Sequence, residues 1–187
     1  MVQTPSPNLT LEAFLQLPET KPASEFIHGQ TSQKPMPQGE HSVLQGTLAN
    51  VINGVAKEQK IAFAFPELRC TFGGASIVPD VAVFRWGRIP RSPSGRVANR
   101  FTIHPDWTIE ILSPDQSMSK VLENVLHCVR HGTELGWLLL PDDESILTVS
   151  AESRIQFYRS EESLPVLEGL PLALSAAEVF GWLRLPE

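Results

Sequence analysis

Hydrophobic positions along the chain follow two periods. From His41 to Lys57 they recur at helical spacing, with Leu44, Leu48, Val51, Ile52 and Val55 on one stripe. A second helical stripe, Val121, Leu122, Val125 and Val129, occupies residues 116–131, and Gly132 supplies its stop. Between and after these stripes the pattern shortens to that of strands. Residues 61–65, 68–72, 77–84 and 107–112 read as strands, with Gly73-Gly74 as the turn between the second and third. The continuous apolar run 135–140 fits a strand buried on both faces. Residues 146–150 and 154–158 form a predicted hairpin. Residues 24–34 (SEFIHGQTSQK) alternate around a glycine, as a strand-turn-strand edge does, and Pro35 and Pro37 end them.

Short helices are predicted at both ends. Thr10 caps one that buries Leu11, Phe14 and Leu15, and Ser175 with Glu178 makes a capping box for another that ends near Trp182. The order of elements predicts an α/β (α+β) domain, one mixed sheet with helices packed on it. Residues 1–8 read as a disordered segment. Residues 9–187 read as one domain, with a helical extension over 164–187 that packs on the sheet or on a partner.

Two strands break the pattern at one position each. Asp80 in SIVPDVAVF and Glu110 in DWTIEILSP place a carboxylate inside a β-branched run. Such groups are rarely buried unless paired or bound to a metal. Neighbouring strands lie about 4.8 Å apart, so two strand-borne carboxylates can converge on one hard cation. Such a cation takes oxygen ligands and retains water. The backbone carbonyl of Ile111 could add a third oxygen, and a nearby lysine would orient the attacking water and offset developing charge.

Composition narrows the alternatives. With 42% apolar and 19% charged residues the chain can build an ordinary core. No apolar stretch reaches the roughly 18 residues of a membrane span, and the first residues lack the basic and apolar regions of a secretory signal. Cys70 and Cys128 are isolated, which suits reduced thiols and a cytoplasmic protein. The net charge of −6 argues against a wholly basic nucleic-acid-binding surface. The local exception is Arg85, Arg88, Arg91, Arg96 and Arg100 in FRWGRIPRSPSGRVANR, readable as a solvated mobile loop or as a basic flap near a polyanion. His127 and His131, a turn apart, read as a surface pair with no third zinc ligand. Glu67 reads as exposed or paired with Arg69. The sequence holds no nucleophile elbow, P-loop or dinucleotide-binding glycine motif.

The landmarks Glu25-Phe26-Ile27-His28-Gly29, His41 opening a helix, Pro79-Asp80, Glu110-Ile111-Leu112-Ser113-Pro114, a helix ending in Gly132, and Gly136-Trp137-Leu138 occur in that order. In this order the chain resembles the Uma-type endonucleases, an abundant cyanobacterial group within the PD-(D/E)XK, restriction-endonuclease-like superfamily, most strongly over residues 9–150. The resemblance implies a central mixed sheet flanked by helices. It implies Mg²⁺ or Mn²⁺ held by Asp80 and Glu110, with Glu25 and His41 as further polar positions of the catalytic cluster. DNA is the implied substrate, and a homodimer the frequent assembly. The superfamily lysine, two residues after the second acid, is replaced by Leu112. The substitute position on the following helix is Asn124. Lys120, one turn earlier, is the nearest cation and is expected to take its place. Without that lysine, the alternative is a catalytically degenerate nuclease fold that binds DNA or a protein. Paired-carboxylate chemistry on a sugar would require an aromatic cleft beside the acids.

Overall fold

A computed structural model describes residues 9–114 and 116–184, so the expectation for residues 1–8 lies outside the described residues. The chain order is α1 (Leu11–Leu15), β1 (Ser24–Ile27), β2 (Gln30–Gln33), α2 (Gly39–Ala56), β3 (Ala62–Pro66), β4 (Cys70–Phe72), β5 (Ala75–Ile77) and β6 (Val81–Arg85). It continues with β7 (Trp107–Ile111), α3 (Met118–Arg130), β8 (Leu135–Leu140), β9 (Ser145–Ser150), β10 (Ile155–Arg159) and α4 (Ala176–Gly181).

The strands form two sheets where the pattern predicted one. A six-stranded sheet has the order β10-β9-β8-β7-β6-β3, and a four-stranded sheet the order β2-β1-β5-β4. In the larger sheet β7 and β8 are parallel, joined by α3, and every other pairing is antiparallel. The predicted strand 77–84 splits at Val78-Pro79-Asp80, and its halves join different sheets. Proline has no N–H to give a ladder, so the run leaves one sheet there and enters the other.

Period-two alternation assigns each face of the larger sheet. Val81, Val83, Trp107, Ile109, Ile111, Trp137 and Leu139 pack in one cluster with Leu44, Leu48, Ile52 and Ala56 of α2. On the other face Ala82 and Phe84 meet the smaller sheet, and Leu138, Leu147 and Val149 meet Val121, Val125 and Val129 of α3. Gly136 permits the close approach of α3, since a Cβ there would come within 2.3 Å of Val125. Leu164, Leu167, Leu170, Leu174, Val179 and Phe180 join the α2-side core, and Trp137 Nε1 donates to the Pro165 carbonyl at 3.0 Å. The C-terminal segment therefore packs on the domain itself. Only its Ala176–Gly181 part is helical, held by the Ser175–Glu178 capping box. Both cysteines are free and buried.

The arginine-rich segment leaves the C-terminal end of β6, roughly 17 Å from Asp80 at the usual rise per residue. Arg85 binds Glu134 through Nε at 2.8 Å and a terminal nitrogen at 2.7 Å, and Arg88 pairs with Asp106. Ile89 and Phe101 are buried in the core. The segment is anchored at both ends, unlike a wholly solvated loop, and leaves β6 at the end opposite the acids. Arg91, Arg96 and Arg100 remain exposed.

Candidate active site at the junction of two sheets

Asp80 immediately precedes β6, and Glu110 lies near the end of β7. The register Val81↔Ile109 brings the two acids side by side. Ile109 and Ile111 face α2, so Glu110 must face the smaller sheet. Both acids are 2% exposed. Asp80 Oδ2 accepts the Ile111 N–H at 2.7 Å. Its Oδ1 lies 2.6 Å from Lys34 Nζ and 3.3 Å from His41 Nε2.

The lysine at the acids is Lys34. Its Nζ also donates to Glu110 Oε2 at 3.1 Å and to the Val78 carbonyl at 2.9 Å. Lys120, where the cation was expected, is exposed in the first turn of α3 and makes no polar contact with either acid among the described residues. Asn124 is buried and donates to Glu25 Oε2 at 3.0 Å. Glu25 Oε1 accepts the Val78 N–H at 2.7 Å, and the Asp80 carbonyl accepts from Gln45 at 2.9 Å. The sheet-to-sheet crossover is thus fastened by site residues. His41, in the first turn of α2, reaches Ser113 Oγ through Nδ1 at 3.3 Å, beside an open cleft of ≈ 310 Å³. Glu25, His41, Asp80, Glu110 and the Ile111 backbone therefore meet, and Lys120 does not join them.

A sequence signal for Lys34 existed in the hairpin. Ile27 pairs with Gln30 across a two-residue turn in which His28 and Gly29 both have positive φ, 49° and 76°. This is the primed turn whose twist suits a tight hairpin. Its register sets Glu25 opposite Ser32, and the Lys34 N–H reaches the Ala23 carbonyl at 3.0 Å. Alternation then puts Lys34 on the same face as Glu25. His127 also differs from the sequence reading. It is 2% exposed, tilted against Phe72 of β4 with ring centroids 5.1 Å apart. Glu67 is exposed, and Arg69 pairs with Glu19.

The electrostatics are unbalanced. Burial alone would raise the Asp80 carboxyl, but Lys34 and His41 outweigh it and hold the group down at about 2. Burial likewise works against the Lys34 ammonium, and the charges of Glu110, Asp80 and Glu25 overcome it, so the lysine stays protonated well above its ordinary range. Glu110 is pushed well above its ordinary value, by burial first and then by Asp80 and Glu25, with Lys34 only partly offsetting them. Among the described residues Glu110 Oε1 is buried with no hydrogen-bond partner.

These features fit a hard divalent cation. Among the described residues no group of three or more His, Cys, Asp or Glu side chains is arranged as a complete metal cage. Mg²⁺ rarely uses one; it is commonly held by one or two carboxylates and keeps its waters. Two buried carboxylates, one with an unpartnered oxygen, match that donor set.

Comparison with known proteins agrees with this architecture. A crystal structure described as a "putative nuclease belonging to DUF820" from Anabaena variabilis is 52% identical, with a TM-score of 0.91 over 94% of this chain and 99% of that one. No curated protein matches the chain. No helix among the described residues is long and apolar enough to cross a membrane. The family model described as "Uma2: Putative restriction endonuclease" matches residues 11–179. The chain belongs to the Uma2 family.

Proposed function

We propose that this protein is a Mg²⁺- or Mn²⁺-dependent endonuclease that hydrolyses phosphodiester bonds of DNA. The observation that carries the reading is the Asp80–Lys34–Glu110 constellation with its unpartnered Glu110 oxygen. The family and the nuclease description of the similar structure support the reaction class.

Asp80 and Glu110 would hold the cation, and the Ile111 carbonyl, next in the chain to Glu110, is the backbone oxygen proposed to add to the set. When bound, such an ion polarises a phosphoryl oxygen and lowers the pKa of a coordinated water. Lys34 acts as a fixed positive charge. Its raised pKa keeps it protonated, and its three N–H donors are taken by Asp80, Glu110 and the Val78 carbonyl, so it acts through its charge and would turn an N–H to the attacking water or a phosphoryl oxygen only where a bound cation takes over a carboxylate oxygen. His41 contacts Asp80 and orients that carboxylate, and its other nitrogen is steadied by Ser113. Glu25 acts as an anchor, bonding the Val78 N–H and Asn124 so that Pro79 delivers Asp80 to the junction. A homodimer, the assembly the family resemblance implies, would bring two such centres to one duplex, and sedimentation analysis checks it directly.

The test is cleavage of supercoiled plasmid during titration with Mg²⁺ or Mn²⁺, alongside calorimetric binding of Mn²⁺. Cation-dependent nicking and one Mn²⁺ site should both be lost in Asp80→Ala. Equal activity in parent and variant would remove the proposal.

A further inference from the structure

We propose that Gln30 and Ser32 are specificity-determining residues that read base edges beside the scissile phosphate. The inference rests on the nuclease reading above and goes beyond it to how the substrate is chosen.

The argument begins with register. Gln30 pairs with Ile27 and Ser32 with Glu25. Residues directly opposite in an antiparallel pair point to the same face. Gln30, Ser32 and Lys34 therefore form one row, at two-residue spacing, on the face that carries Glu25 into the site. Thr31 and Gln33 point the other way, where Phe26 stacks on Phe14 of α1 and Gln33 Nε2 donates to the Pro22 carbonyl at 2.9 Å. All four β2 residues are exposed on an edge strand, yet only the site-facing pair continues into Lys34.

The row is polar, uncharged and free to bond. Among the described residues neither the Gln30 amide nor the Ser32 hydroxyl has a side-chain hydrogen bond, whereas Lys34 at the end of the row has three. The ribbon is held in place as well. Its turn is tight, and His28 at its tip reaches Glu123 of α3 at 3.2 Å. β1 is closed on its other side by β5, so the open element is the β2 edge of the smaller sheet, and strands of a sheet can lie in a groove of duplex DNA. In the major groove a glutamine amide pairs with the N6 and N7 of adenine, and a serine hydroxyl can donate or accept.

Charge weighs against the other flank. The cleft on the His41 side carries Glu40 and Asp142, which repel a phosphate backbone. The ribbon side presents the uncharged Gln30 and Ser32, with Glu123 at the tip bonded to His28 and Lys34 bonded into the acids. From Lys34 to Gln30 the row spans roughly 13 Å, the axial length of about four stacked nucleotides. The readout is therefore one-sided and short, confined to about four base pairs on one side of the cut.

The experiment cleaves a duplex DNA library, randomised around its centre, with Mg²⁺ and sequences the new ends. Parent, Asp80→Ala, Gln30→Ala, Ser32→Ala and Thr31→Ala proteins are compared. The parent should show a preference within about four base pairs on one side. Gln30→Ala and Ser32→Ala should each flatten it at a different position, by roughly 5- to 150-fold, while still cutting. Thr31→Ala should keep the parental pattern. Parental preference retained in both row variants, or random ends from the parent, overturns this inference while the nuclease reading stands, provided Asp80→Ala is inactive. A parent that does not cut, or an Asp80→Ala protein that cuts equally well, overturns both.

Discussion

The β6–β7 pair carries a charged cluster at each end, and the two clusters are built differently. At one end Asp106 accepts the Arg85 N–H at 2.6 Å and pairs with Arg88, while Glu134 takes a two-pronged grip from Arg85. Two acids meet two guanidinium groups. At the other end three acids, Glu25, Asp80 and Glu110, are buried near one lysine that bonds only Asp80 and Glu110, and among the described residues one carboxylate oxygen has no partner. The first cluster is complete in itself and ties the ends of strands together. The second is short of positive charge, which makes it costly to bury and suited to a cation from outside. Balance, more than the number of charged residues, separates a structural ion-pair network from a reactive one.

Breaking the unbalanced end should cost the most in function and little in stability. Glu110→Gln should lower plasmid cleavage by roughly 10²- to 10³-fold without lowering the thermal midpoint. The pH dependence follows from the direction of the Glu110 shift. A carboxyl raised in the folded state binds its proton more tightly there than in the unfolded chain. Parent stability therefore declines as pH rises above the ordinary glutamate range toward the raised value. Glu110→Gln should reduce that decline, as followed by urea unfolding across the range. A steeper decline in the variant would contradict the charge imbalance.

Breaking the balanced end should do the reverse. Asp106→Ala leaves the Arg85 N–H and Arg88 without their partner and should cost about 2–3 kcal/mol in urea unfolding. Cleavage per folded molecule should be unchanged. Glu134→Ala removes a half-exposed pair and should cost no more than about 1 kcal/mol.

The smallest effect concerns His127, at the seam of α3 and the smaller sheet. Burial pushes its pKa down, outweighing the hydrogen bond to the Phe72 carbonyl at 3.3 Å. The unfolded chain then binds the proton more readily, so stability should fall as pH drops through the ordinary histidine range. His127→Gln should flatten that slope in unfolding curves between pH 7.5 and 5.5.

What the sequence made legible followed from local period. The α2 and α3 stripes, the buried β8 run, the 24–34 hairpin and the Ser175 capping box all appear within a residue or two of their predicted positions. Asp80 and Glu110 were legible because a carboxylate breaks an apolar run. Long-range information was harder to extract. The split at Pro79, the second sheet and the burial of His127 under Phe72 depend on pairings between distant segments. Lys34 is the clearest case. Counting along the chain from Glu110 and back from Gly132 pointed to Leu112, Asn124 and then Lys120. The lysine at the acids instead directly follows β2, 76 residues before Glu110, and only hairpin register, followed from Glu25 to Ser32 to Lys34, leads to it.

The central claim is that Lys34 supplies the charge this site lacks elsewhere. Its most direct test compares steady-state DNA cleavage by Lys34→Ala and Lys120→Ala proteins at saturating Mg²⁺. The structure predicts a fall of roughly 10²- to 10³-fold for Lys34→Ala and a change within about twofold for Lys120→Ala, an exposed substitution. A large loss in Lys120→Ala with a near-parental rate in Lys34→Ala would contradict it.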